Sequence, residues 1–364
     1  MHRRDFLQAA ALGVASPAPT AKAAPKPSTR LAGVVTEHAR KTGFSGTVLV
    51  ERGGEVLLHE GYALADRQHA TPCRRDTRYR VASITKLFTS VMVMQLVDQG
   101  RLKLDDAIRD CLPAYKGEGA ARVRVRHLLN HTSGIANMDT IGSFEQAQRE
   151  GIPAFQLPHT SDQMLDLYAS GRLVNEPGKA FDYNNADYIV LGKIIERAVG
   201  APFHEALKAR ILAPLGMRSS GLLFQQDIVP RLAATYFKPP KGGLINDLPV
   251  YPENWYAAGG AYSDTANILR FAHGLYGGRL LQPASLRQLL TPGLDDYGFG
   301  LWVFDMKVKG KPHRVAQRPG RIMGANAAFL RFLDDDLTVI ILANTNISDT
   351  DEFSFLIGRT VLGG

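Results

Sequence analysis

The chain has 364 residues, 45% of them apolar and 21% charged, a composition that excludes disorder as its main state. Two cysteines, Cys73 and Cys111, exclude a disulfide-dense scaffold and a four-thiolate zinc site. The 43 basic against 35 acidic residues give a net charge of +8. The basic residues are scattered, with no basic run or aromatic-interleaved stripe, so nucleic acid is not an expected partner.

Met1-His2-Arg3-Arg4-Asp5-Phe6-Leu7 opens the chain, an apolar stretch reaches Ala15, and Ala21-Lys22-Ala23 offers small residues for a cut. Charged start, short apolar run and small residues together describe a secretory signal over residues 1–23, too short to span a bilayer. Arg-Arg-x-Phe-Leu resembles the twin-arginine export signal, so the expected location is the bacterial periplasm. Residues 24–364 then form the working domain. No later stretch reaches 18 apolar residues, and stable membrane insertion is not expected. Export would place Cys73 and Cys111 where they could pair.

Along that domain, Leu31, Val34, Val35 and His38 recur at helical spacing and predict an amphipathic opening helix. Ser45 to Val50 and Val56 to Tyr62 flank Gly53-Gly54 as a hairpin. Leu87 to Val97 is apolar nearly all round, the pattern of a buried helix, and Gly100 ends it. Helical stretches follow at Val125 to Leu129, Ala186 to Val199 and Phe203 to Leu215. Strand patterns return at Gly298 to Phe304, Ala327 to Phe332 and Leu337 to Leu342. The last two flank Asp334-Asp335-Asp336, which reads as a solvated turn rather than a metal site. Asp351 to Leu362 predicts a closing helix. Strands at both ends with helices between imply an α/β fold. Its sheet comes from about 30–80 plus 255–364, with a mostly helical part over about 81–254.

The chain holds no G-x-S-x-G elbow, H-E-x-x-H, P-loop or C-x-x-C. Ser83-Ile84-Thr85-Lys86 is its one S-x-x-K, at the first turn of the buried helix. Residues three apart share a helix face, so the Lys86 amine is within reach of the Ser83 hydroxyl. The helix N-terminus favours an alkoxide and the oxyanion that follows it. A lysine in an apolar setting loses its proton more easily. A serine cap beside a snorkelling lysine is the structural alternative. Phe181-Asp182-Tyr183-Asn184-Asn185 contains a Tyr-x-Asn pair that would aim a phenol and an amide into one cleft.

Ser83-x-x-Lys86 followed by Tyr183-x-Asn185 resembles the serine hydrolases of the β-lactamase and penicillin-binding-protein superfamily, closest to class C β-lactamases, D-alanyl-D-alanine peptidases and their esterase relatives. Arg126-His127-Leu128-Leu129-Asn130-His131-Thr132-Ser133-Gly134, Pro177-Gly178, Pro214-Leu215-Gly216-Met217 and Ala258-Gly259-Gly260-Ala261-Tyr262-Ser263 are similar to further family segments. The likeness runs from about 44 to 345. It implies a β-lactamase/transpeptidase-like fold: a mixed, mainly antiparallel sheet built from both chain ends and flanked by helices.

The resemblance also implies an acyl-enzyme on Ser83, with Lys86 and Tyr183 moving the proton and either of them the general base. It further implies backbone N–H groups of Ser83 and Arg321 around the oxyanion, Asn185 orienting the acyl group, and no metal or organic cofactor. His127 and His131 look structural. Where the family carries Lys-Thr-Gly or His-x-Gly, this sequence has Arg318-Pro319-Gly320. An arginine keeps the charge and adds a fork for a substrate carboxylate, but lends no proton. The alternative for Arg318 is a brace on its strand through a neighbouring acid. The substrates expected are small-molecule or peptide esters and amides, for an esterase or D-residue peptidase rather than an efficient β-lactamase. The competing reading is a non-catalytic penicillin-recognising or cell-envelope binding module on the same scaffold.

Overall fold

The structure, a computed structural model, describes residues 29–139 and 141–363; the expected leader at 1–23 lies outside them. Helix α1 (Thr29–Thr42) is followed by β1 (Gly46–Arg52) and β2 (Glu55–Tyr62), then by α2 (Ile84–Asp98), α3 (Asn185–Val199) and α4 (Thr265–Tyr276). The chain closes with β3 (Trp302–Val308), β4 (Lys311–Ile322), β5 (Ala325–Phe332), β6 (Leu337–Ala343) and α5 (Thr350–Leu362). The six strands form one sheet in the order β3-β4-β5-β6-β1-β2. Every pairing in it is antiparallel. Its centre joins the two chain ends, with Gly46 opposite Ala343 and Arg52 opposite Leu337.

Side-chain alternation sorts the two faces of this sheet. Val48 and Val50 of β1 and Val339, Ile341 and Ala343 of β6 pack with Leu31 and Val35 of α1 and Phe353 and Ile357 of α5. Leu49, Ile340 and Leu342 point the other way, into the core shared with α2, α3 and α4. Burial on both faces explains why the central strands are so uniformly apolar. The β1–β2 turn is the expected Gly53-Gly54, both at positive φ (57° and 83°). Asp334-Asp335-Asp336 is a turn between β5 and β6, where Asp335 meets His313 at 2.7 Å and Asp336 pairs with Arg331.

Two expectations need correction. The strand expected from Gly298 begins only at Trp302, because Gly300 takes φ 89° and turns the chain. The helix from Phe203 is regular only to Leu207 and then widens into a π-turn over Lys208–Leu212. Cys73 and Cys111 are both free thiols and do not pair. Among the described residues, no helix is long and apolar enough to cross a membrane.

Helix α2 is buried from Ile84 to Met94 without interruption, and its polar side chains are all spoken for. Thr89 Oγ1 donates to Ala257 O (2.7 Å), Thr85 Oγ1 accepts from Ala261 N (3.1 Å), and Lys86 reaches Ala258 O (2.9 Å). The segment 257–261 is thereby clamped to the helix that begins at Ser83.

Candidate active site

Ser83 sits at the first turn of α2, just after Ala82, whose φ of 47° is unusual for a residue with a side chain. Strain of this kind costs about 1–3 kcal/mol and persists only where the surroundings impose it. The Ser83 hydroxyl makes no capping bond, so the simple serine-cap alternative does not hold. Instead the N–H groups of Ile84, Thr85 and Lys86 close onto the carbonyls of Val81, Ala82 and Ser83. The Ser83 N–H donates to no backbone carbonyl among the described residues.

Two proton carriers converge on the Ser83 oxygen. Lys86 Nζ donates to Ser83 Oγ (3.1 Å), to Asn185 Oδ1 (2.6 Å) and to Ala258 O (2.9 Å). Those three acceptors match the three hydrogens of an ammonium group. Lys86 is fully buried; burial lowers its pKa, and Tyr183 opposes that shift. From the other side, the Tyr183 hydroxyl donates to Ser83 Oγ (2.8 Å). Burial alone would raise this phenol, but Arg318 and Lys86 outweigh it and bring the pKa from 10.0 to about 8. The Lys86 ammonium also lies 4.7 Å from the centre of the Tyr183 ring.

Arg318 is where the structure departs most from the sequence expectation. Its guanidinium is only 2% exposed, and its fork is already in use. Nε donates to Pro319 O (3.0 Å), Nη1 to the Tyr297 hydroxyl (2.7 Å) and Gly300 O (3.2 Å), and Nη2 to the Tyr183 hydroxyl (2.7 Å). Four of its five N–H groups are engaged, so it does not present two free parallel donors to a carboxylate. Nor does an acid brace it, since no carboxylate lies within ion-pair distance of it among the described residues. The charge is spent on Tyr183. Trp302 completes the arrangement, stacked on Tyr183 at 5.9 Å and 15° with Arg318 over its ring at 5.2 Å.

Gly320 has a geometric duty. A Cβ there would lie 2.5 Å from Val81 O and 3.1 Å from Ser83 N, so only glycine lets β4 rest against the nucleophile's turn. The approach is possible because β3 pairs with β4 only as far as Gln317. Residues 318–322 keep one open edge, which also accommodates Pro319. Gly320 therefore brings β4 alongside the Ser83 N–H. The Arg321 side chain turns aside to Asp351 (2.6 Å) and Asp349 (3.4 Å).

Asn185 Nδ2 donates to Asp139 Oδ2 (2.7 Å), while its oxygen holds Lys86. His131 lies behind the site, buried against Tyr183, and makes no bond to Ser83. Its Nδ1 accepts from Asn184 N (3.2 Å) and lies 3.0 Å from Asp187 Oδ2. Burial pushes the Asp187 carboxyl well above its usual range and the His131 imidazole well below its own. Both histidines are structural in this setting, as expected; His127 Nδ1 accepts from Arg124 N (3.2 Å).

Tyr297, Trp302 and Asp139 were not foreseen. Tyr297 and Trp302 flank a glycine turn that reads as strand, and Asp139 sits in a loop with no periodicity. Ser83, Tyr183, Trp302 and Arg318 line a cleft of about 390 Å³. Beyond Asn185 a second cavity of about 770 Å³ opens, and Arg321 borders both.

The Beta-lactamase family model matches residues 31–354 of this chain. A penicillin-binding protein of Bacillus subtilis (strain 168) is 28% identical over 319 residues, covering 83% of this chain and 68% of that one. Esterase EstB of Burkholderia gladioli is 36% identical over 205 residues, 53% of this chain and 51% of its own length. Among solved structures, a penicillin-binding protein from Bacillus halodurans superposes with TM-score 0.76 at 26% identity, covering 90% of this chain and 98% of that chain.

Proposed function

Because this chain belongs to the β-lactamase family, we propose that it is a serine acyl hydrolase acting on esters or amides through a Ser83 acyl-enzyme. The observation that carries this reading is the double hydrogen bond to Ser83 Oγ, from Lys86 at 3.1 Å and Tyr183 at 2.8 Å. A module that only binds has no use for a nucleophile flanked by two proton carriers, both held at lowered pKa.

Tyr183 is the base in this proposal. Two cations stabilise its phenolate, whereas the three acceptors around Lys86 suit an amine that keeps its proton. Ser83 Oγ attacks the substrate carbonyl carbon and its proton passes to the Tyr183 oxygen. The negative charge on the carbonyl oxygen meets the N–H groups of Ser83 and Arg321. Collapse breaks the bond to the leaving group, which takes the proton from Tyr183. Water then repeats the sequence on the acyl-enzyme, and Ser83 is restored. Asn185 holds Lys86 and faces the acyl side.

An ester or amide is favoured over a β-lactam because Arg318 has one N–H left to offer a ring carboxylate. The likeness to an esterase supports the same preference. The test is labelling with a fluorophosphonate. An intact-mass shift mapped to the Ser83 peptide is expected, and an unmodified protein beside a labelled control hydrolase would favour the binding module.

A further inference from the structure

Tyr256 sits in a strained conformation that the reaction described above does not use. Its backbone takes φ 43° and ψ −126°, the angles of the first central position of a type II′ turn, where glycine is the usual residue. A bulky side chain there is an outlier and persists only where its surroundings impose it. What imposes it is a wedge. The Tyr256 ring, 5% exposed, packs against Phe203 with ring centres 5.0 Å apart, and it rests on Gly192 of α3. A Cβ on Gly192 would lie 2.3 Å from the Tyr256 ring and 2.7 Å from Ala257 Cβ. The preceding Trp255 points elsewhere, stacked on Phe155 at 4.0 Å in a separate small core. Two successive aromatic side chains, anchored in different cores, thus pin the backbone between them.

Directly after Tyr256 come the carbonyls that hold α2. Ala257 O accepts from Thr89 Oγ1 (2.7 Å) and Ala258 O from Lys86 Nζ (2.9 Å), while Gly260 N closes the turn onto Tyr256 O (3.0 Å). Of the three acceptors around the Lys86 amine, Ser83 Oγ and Asn185 Oδ1 end rotatable side chains. Ala258 O alone belongs to the backbone, so its direction decides where the other two hydrogens of the ammonium point. Lys86 is fully buried, and a bond lost there is not replaced by solvent.

We infer that Tyr256 is a positioning residue for acylation: its ring, wedged against Gly192, holds the turn that aims the Ala258 carbonyl at Lys86, and so aims the amine at Ser83. This rests on the serine-hydrolase reading above. The competing role for Tyr256 is to fill the core beside α3 with no effect on Lys86.

The experiment times fluorophosphonate labelling of Ser83 by intact mass, in variants shown to be folded by circular dichroism. Tyr256→Phe keeps the wedge and should label at the wild-type rate. Tyr256→Ala removes the wedge while alanine disfavours the turn, so labelling should slow about ten- to a hundred-fold, the contribution of a charged hydrogen bond. Tyr256→Gly removes the same ring but suits the turn, and should regain most of that rate. A ring that only fills the core predicts no such rescue, since glycine leaves the larger hole. Glycine no faster than alanine would therefore overturn the assignment. In a Lys86→Ala background, Tyr256→Ala should add no further slowing, because no amine is left to aim; equal slowing in both backgrounds would also overturn it. Should Tyr256→Ala not fold, Gly192→Ala carries the test, since its Cβ displaces the ring from the other side. Labelling of that variant should slow by a similar factor, and a wild-type rate would count against the wedge. An unlabelled wild-type serine beside a labelled control hydrolase removes the hydrolase reading and this one with it. A labelled wild type without rescue by glycine removes only the role of Tyr256.

Discussion

Replacing Arg318 by glutamine should change the pH at which the enzyme works more than its limiting rate. In the structure the guanidinium lies 2.7 Å from the Tyr183 oxygen with no acid to neutralise it, and the phenol titrates at about 8 instead of 10.0. An opposite charge at this range is worth about 1–3 pKa units, at about 1.4 kcal/mol each. Without it the phenol should return to about 9–10, since Lys86 still acts on it and burial still opposes ionisation. With the phenolate as the proposed base, activity rises with pH through this pKa, and the rising limb moves upward when the pKa does. At about pH 7 the phenolate fraction falls from about one in ten to between one in a hundred and one in a thousand. The loss in kcat/KM there should be about 10–100-fold, shrinking to a few-fold by about pH 10.

The assay is kcat/KM for a neutral ester from about pH 6 to 10, which reports the free enzyme's base. Arg318→Lys keeps the charge and should leave the limb within about one unit of wild type. Tyr297→Phe removes a partner of Arg318 but not the charge, and should leave the limb in place. An Arg318→Gln enzyme that loses the same factor at every pH, with its limb still near 8, would refute the reasoning and make Arg318 a packing residue.

Tyr183→Phe and Lys86→Ala should each slow acylation by about 10²–10⁴, measured as burst rate on an activated ester; a variant that unfolds but keeps full activity per folded molecule would return that residue to a structural role. Gly320→Ala should lower the melting temperature and the acylation rate together, because its Cβ would meet Val81 O at 2.5 Å; overpacking of this kind costs about 1–3 kcal/mol, and an unchanged Tm would contradict the close approach. The twin-arginine reading of the first residues predicts that Arg3→Lys with Arg4→Lys strands the precursor in the cytoplasm; normal periplasmic arrival, seen by fractionation, would dismiss that route.

The sequence disclosed what depends on local order. Ser83 and Lys86 are legible because three-residue spacing at the start of an apolar helix puts both side chains on one face, and the Tyr183-x-Asn185 pair favours a nucleophile over a serine cap. The hairpin at Gly53-Gly54 and the helices at 125–129 and 185–199 follow from turn chemistry and periodicity. Strand β4 is different. Lys311 to Ile322 has no alternation and includes two prolines, and only its Arg318-Pro319-Gly320 stretch is marked, through the family pattern. The use made of Arg318 was also hidden. Nothing local in Tyr297, Gly300 and Pro319 shows that they supply acceptors to one guanidinium, and that sharing is what removes its fork from solvent. Asp139 was invisible for the same reason, being brought to Asn185, 46 positions away in sequence, by tertiary packing.

The pairing of β1 with β6 has a consequence in time. The strand that begins at Gly46 finds its central neighbour only at Leu337–Ala343, nearly the whole chain later. At synthesis rates of about 5–20 residues per second, that delay is on the order of tens of seconds. Until then β1 has one unpaired edge, and β4, which brings Arg318 and Gly320 to the serine, is made only shortly before β6. Ser83 and Lys86 therefore exist on a nascent chain without the guanidinium that contacts Tyr183 or the strand that packs against the Ser83 N–H. The nucleophile is translated early and armed late.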